Sequence, residues 1–141
     1  MRRLKFYNPD QIAPPGSNYS HGAYIEIPGE RVIIAGQVGV APDGRLEDGF
    51  EAQSRCAWQN LFAVLEAAGL GKRSLVRVVI YVTRNDVVEQ YRTIRDEMME
   101  GHKPPMTYLV VSGLASPDML VEIEGEAVRA GREERQPGSE R

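Results

Sequence analysis

Residues 121–128, Val-Glu-Ile-Glu-Gly-Glu-Ala-Val, limit what this chain can become more than any other stretch. Their alternation sets Val121, Ile123, Gly125 and Ala127 on one face of a strand and Glu122, Glu124 and Glu126 on the other. Three carboxylates in a row repel one another, so their face must meet water, a cation or a ligand. Either that face is a solvated edge, or one of its acids lines a cleft. A second apolar run, residues 106–114, precedes this strand across Ala115-Ser116-Pro117-Asp118, and the two read as strands joined by a turn. Pro104 and Pro105 stop any helix before them and force an extended entry into the first of the pair.

The order of the remaining elements follows from periodicity and turn chemistry. Residues 4–7 read as a short first strand, and residues 8–18, rich in proline, as a stiff loop delivering Tyr19-Ser20-His21-Gly22. Residues 23–27 and 31–35 read as a hairpin closed by Pro28-Gly29, and the second of them runs into Gly36-Gln37-Val38-Gly39. Glycines at 36 and 39 let the backbone approach something closely, either a packed helix or a ligand. Asp48 with Glu51 reads as a helix start. The stripe Phe50, Ala57, Leu61, Val64, Leu65 and Ala68 then continues to Gly69, with Trp58 outside it and expected at the surface or in a subunit contact. Residues 75–83 are apolar on both faces, Val76, Val78, Ile80 and Val82 against Leu75, Arg77, Val79 and Tyr81, which marks a central strand. Asp86 with Glu89 opens a second helix ending at Gly101.

The expected architecture is therefore α+β, β-β-β-α-β-α-β-β, with one mixed sheet and two helices on one of its faces. Residues 1–128 form a single domain, and the charged segment 129–141 is expected to be disordered. The uncovered apolar face of residues 75–83 predicts self-association.

Composition narrows the function. The 141 residues are 42% hydrophobic and 26% charged with a net charge of −3, an ordinary globule without the basic face of a nucleic-acid binder. One cysteine, Cys56, excludes an internal disulfide and suits a reducing compartment; the first nine residues hold no apolar signal core. A cytoplasmic protein is the expectation. No run reaches the roughly 20 apolar residues of a membrane helix, so no membrane partner is expected. His21 and His102 have no suitably spaced Cys or Asp partners, so neither a metal nor any other cofactor is expected.

The ordered set of Tyr19 with Gly22, Ala35-Gly36-Gln37, Gln53 and Asn60, Glu66-Ala67-Ala68-Gly69-Leu70, His102-Lys103-Pro104-Pro105 and residues 121–128 resembles the RidA (YjgF) family of reactive-intermediate deaminases, also known as L-PSP endoribonucleases. The resemblance implies a chorismate-mutase-like fold, a homotrimer with a barrel-like core, and a small-molecule cleft at each subunit interface. It implies hydrolysis of enamines and imines such as 2-aminoacrylate, with a glutamate on the last strand orienting water and an arginine after the Pro-x pair clamping the substrate carboxylate. Glu122 matches the glutamate. The arginine position holds Met106, followed by Thr107 and Tyr108 where small residues are usual. The resemblance is thus to an arginine-lacking subgroup. His21, Arg92 and Arg95 are candidate replacement cations.

Two function classes stay open. One is an enzyme acting on imine or enamine C–N bonds, with Glu122 as general base and Tyr19, His21, Gly36, Gln37, Met106, Thr107 and Tyr108 forming the pocket. The other is a module that binds or sequesters a small metabolite with the same residues. Ribonuclease activity follows only from the older family name, and the acidic charge opposes it.

Overall fold

The computed structural model describes residues 4–25 and 29–129. The strands are β1 (Leu4–Tyr7), β2 (Gly22–Ile25), β3 (Glu30–Val38), β4 (Leu75–Val82), β5 (Met106–Val110) and β6 (Val121–Arg129). The helices are α1 (Phe50–Ala67) and α2 (Val88–Met99). The element order is the expected one; the pairing differs from it in two places. β2 pairs antiparallel with β1 in a separate two-stranded sheet, not with β3 as a hairpin, and the proposed turn at Pro28 lies outside the described residues. The main sheet runs β3-β6-β4-β5, so β5 and β6 are not neighbours either: β5 lies parallel to β4, and β6 enters antiparallel between β3 and β4. Local turn chemistry marks where a chain bends but does not choose a strand's partner. Here the apolar face of β6 is fully covered only when it is central.

Both helices cover one face. Leu61 and Leu65 of α1 meet Val78, Ile80, Ile123 and Ala127 of the sheet, each with no solvent exposure, and each such side chain contributes on the order of 1.5–3 kcal/mol. Trp58 is not at the surface but fully buried, its ring 5.8 Å from that of Phe62. With α2 alongside, the buried arc of α1 widens beyond its central stripe. Neither helix starts with the expected side-chain cap: the cap positions are Gly49 and Val87, without a side-chain hydrogen bond. Asp86 instead pairs with Arg84 at 2.9 Å. Both helix ends are as expected, with left-handed Gly69 after α1 and Glu100-Gly101 after α2.

Two bulges flank β6. Val76 is an extra residue between the pairs Leu75–Ala127 and Arg77–Glu126, which turns Leu75 onto the helix face rather than beside Val79. On β3, Ala35 and Gly36 together oppose one residue of β6. The outer face, away from the helices, thus carries Ile33, Arg77, Val79, Tyr81, Thr107, Leu109 and the three glutamates. Val79 is covered by its neighbours at 4% exposure; the exposed apolar groups on this face are Ile33 and Leu109, at 65% and 44%. Arg129, expected to begin the tail, is the last residue of β6, with its Nε 2.7 Å from Glu30 Oε1. The rest of the tail lies outside the described residues. Among the described residues no helix is long and apolar enough to cross a membrane.

Candidate functional site

The three outer-face acids of β6 resolve into different roles. Glu126 accepts a hydrogen bond from Arg31 Nε at 2.7 Å. Glu124 accepts one from the Tyr81 hydroxyl at 2.8 Å, and this bond holds the Tyr81 pKa above its ordinary value. Among the described residues Glu122 has neither a hydrogen bond nor an ion pair through its side chain. Its carboxylate occupies the space over Gly36, where a Cβ would fall 1.8 Å from Glu122 Oε2. The β3 bulge and the missing side chain together make that seat. Gly39 serves the other purpose, helix packing: a Cβ there would lie 2.5 Å from Gln53 Cα in α1.

A second group assembles where the loop before β2 crosses the start of β5. Tyr19, His21, Met106 and Thr107 line a cavity of about 340 Å³, together with Arg77 and Glu126. The Ser20 amide donates to Pro104 O at 3.3 Å, and the Ser20 hydroxyl to Lys103 O at 2.6 Å, tying the loop to the β5 entry. The His21 ring stands edge-on to Tyr19, centroids 5.7 Å apart, and its Nε2 donates to Ala13 O at 2.7 Å. On the far side of Tyr19 a cavity of about 430 Å³ is walled by Arg73, His102 and Lys103. His102 is buried, and its Nε2 donates to Leu75 O at 2.8 Å. Burial pushes the His102 pKa down, against the raising effect of the Leu75 carbonyl.

Met106 and Tyr108 pack against the core on the helix side of β5, away from Glu122. Tyr108 stacks on Tyr91 of α2 at 5.0 Å, and both phenol oxygens are buried without a hydrogen-bond partner among the described residues. Burial lifts the pKa of each hydroxyl. Gln37 turns its amide back to Ala35 O at 3.1 Å. Of the candidate replacement cations, Arg92 pairs with Glu89 at 3.2 Å, while Arg95 is buried, bonded to Asp96 at 3.0 Å. Neither lines the Tyr19–Thr107 cavity. Among the described residues no cluster of His, Cys, Asp and Glu could hold a metal ion.

The family model described as Endoribonuclease L-PSP matches residues 10–129. The chain belongs to this family. A RutC family protein of Aquifex aeolicus is 35% identical over 99 residues, 64% of this chain and 74% of that one. Escherichia coli TdcF, provisionally named a reactive intermediate deaminase, is 30% identical over 107 residues, 72% of this chain and 81% of that one. The crystal structure of a Rid family protein of Yersinia pestis superposes with a TM-score of 0.78 at 28% identity, covering 88% of this chain and 97% of that one.

In this L-PSP family chain six of the eight expected site residues fall into two groups along the main sheet, and Gln37 and Tyr108 join neither. Glu122 and Gly36 lie at one end of the β6 outer face. Tyr19, His21 and Thr107 lie at the other, around Glu126, with Met106 at the cavity wall. Four residues of strand, roughly 13 Å at about 3.3 Å per residue, separate Glu122 from Glu126. The sequence expectation missed Arg77. Its signal was present: Arg77 alternates with Val79 and Tyr81 on β4, but only the pairing of β4 with β5 brings it to Thr107.

Proposed function

We propose that this chain works as a Rid-type homotrimer with small-molecule clefts between subunits, where it binds and hydrolyses a small imine or enamine. The free Glu122 carboxylate carries this reading. Its two neighbours on the strand are each taken up by a partner, while Glu122 is seated over Gly36 and, among the described residues, its lone pairs are uncommitted. Such a carboxylate suits a general base. Glu122 takes a proton from water as the oxygen attacks the imine carbon and the C=N pair moves to nitrogen. The nitrogen takes that proton from Glu122 to give the carbinolamine, whose hydroxyl proton then passes through Glu122 to the nitrogen as the C–N bond breaks, leaving a carbonyl compound and ammonia.

The separation of the two residue groups supports the interfacial cleft: one small substrate cannot span roughly 13 Å, so Glu122 of one copy would face the Tyr19–Thr107 group of another. A non-catalytic sequestering module is the second reading. It is favoured by Met106, which leaves position 106 without the carboxylate clamp that the family resemblance implies.

The test is ammonia release from imines generated in situ, 2-aminoacrylate among them, for wild type and Glu122→Gln. The expected loss in the variant is about 10²-fold or more. Equal rates would remove Glu122 from the chemistry, and metabolite binding without turnover would favour the second reading. With 2-aminoacrylate itself, turnover at least tenfold below that of an arginine-bearing relative is expected, since a charge-assisted pair contributes about 1.5–3 kcal/mol.

A further inference from the structure

On the side of Tyr19 away from Thr107, the fold leaves a basic cavity of about 430 Å³ that the imine chemistry does not use. Ser20 partitions it from the Tyr19–Thr107 cavity. Its amide and hydroxyl, donating to Pro104 O at 3.3 Å and Lys103 O at 2.6 Å, stitch the loop to the chain entering β5. Tyr19 and Ser20 line both spaces, whereas Arg77, Met106 and Thr107 line the other one alone.

Two cations stand in the wall of this cavity, and one turn places both. α2 ends in two successive left-handed residues, Glu100 at φ 52° and Gly101 at φ 88°, which turn the chain and carry Lys103 to the wall. Arg73, in the short 3-10 turn Lys72–Ser74 before β4, donates to Glu100 O of the same turn at 3.1 Å. The Glu100 carboxylate pairs instead with Lys72, at 3.4 Å. Among the described residues neither Arg73 nor Lys103 has a carboxylate partner, and no Asp or Glu lines the cavity. A concave wall of one charge sign concentrates ions of the other, so this one draws anions. The rest of the wall is partly apolar: the Phe6 ring lies 5.6 Å from that of His102, and Tyr19 closes the side towards the first cavity.

A volume of about 430 Å³ falls within the range of metabolite sites. Charge then chooses among anions. A phosphomonoester carries about −1.5 to −2 at neutral pH, which answers both cations, whereas a monocarboxylate leaves one of them unbalanced. Its oxygens accept from a guanidinium and an ammonium at once through charge-assisted hydrogen bonds. We propose that Arg73 and Lys103 hold the phosphate of a small, ring-bearing phosphomonoester, with its ring against Phe6 and Tyr19. The site is built within one copy of the chain and contains neither Glu122 nor Arg77, so it stands or falls independently of the imine cleft.

The experiment is an equilibrium titration of the full chain with phenyl phosphate, followed by amide NMR resonances, with benzoate and inorganic phosphate as comparison probes. Phenyl phosphate is expected to shift Arg73, His102 and Lys103, to weaken as salt is raised, and to bind at least about tenfold more tightly than either comparison probe. Arg73→Gln and Lys103→Gln should each lose at least about tenfold in affinity, and Arg77→Gln, in the neighbouring cavity, should lose none. Both replaced cations are exposed, so the variants fold, which circular dichroism verifies. The proposal is overturned if phenyl phosphate does not saturate at millimolar concentration, if benzoate binds as tightly, or if either variant binds like wild type. Inorganic phosphate binding as tightly as the ester would mean an adventitious ion only, and overturns it too. So does a loss confined to Arg77→Gln, which would assign the ligand to the Tyr19–Thr107 cavity.

Discussion

Two glycines three residues apart make a matched pair of tests. Alanine at position 36 meets the far end of the Glu122 side chain, which can swing away. Gly36→Ala is therefore expected to leave stability within about 0.5 kcal/mol of wild type while lowering ligand turnover as Glu122→Gln does. Alanine at position 39 meets the backbone of Gln53, which cannot move without shifting α1, so Gly39→Ala is expected to cost about 1–3 kcal/mol in urea unfolding. Swapped outcomes would refute the division of labour between them. His102 gives the fold a pH dependence of definite sign. Its folded pKa lies below the unfolded value of about 6.5, because burial disfavours the cation. The unfolded chain thus binds more protons between the two values, so this contribution is fully present above pH 6.5 and is lost as pH falls towards the folded pKa. Denaturant midpoints at pH 7.5 and pH 5 should differ more for wild type than for His102→Gln; an equal difference would rule His102 out as the source.

At the scale of elements, one buried amide fastens α1 to the two loops that meet at one end of the sheet, after β3 and before β6. Gln53 donates to Glu47 O at 3.1 Å and Asp118 O at 3.0 Å, and accepts from the Leu120 amide at 2.8 Å. Gln53→Ala strands these backbone groups and is expected to cost about 2–3 kcal/mol, measured by chemical unfolding. Asn60, donating to Val38 O and Val40 O at 3.0 Å each, does the same for the end of β3. Element identity and order were legible in the sequence because periodicity and stop signals are local. Partnership was not, since β2 with β1 and β6 between β3 and β4 are choices made across long separations. A bulge is equally silent: one extra residue at Val76 moved Leu75 to the opposite face from the one its alternation implied. The same limit governed the site. The acid alternation left the outer face of β6 as a solvated edge or a cleft wall, and the family resemblance singled out Glu122; Arg77 becomes part of a cavity only when β4 pairs with β5.

The whole molecule presents Ile33 and Leu109 on the outer face of the sheet, at 65% and 44% exposure, on either side of the polar Tyr81–Glu124 contact. If that face is buried between copies, light scattering at micromolar concentration returns a trimer, and Ile33→Asp or Leu109→Asp returns monomers; a monomeric wild type would refute the assembly. The position of β6 has a consequence of another kind, in time rather than space. It is the last of the six strands to leave the ribosome, yet it is the one that joins β3 to the β4–β5 pair. Until it arrives, the nascent chain holds two disconnected pieces of sheet, with the apolar faces of α1 and β4 open to water. The sheet therefore closes only once residues 121–129 have emerged, and a stop codon before residue 121 would yield no smaller version of the domain, only a chain for proteases and chaperones to clear.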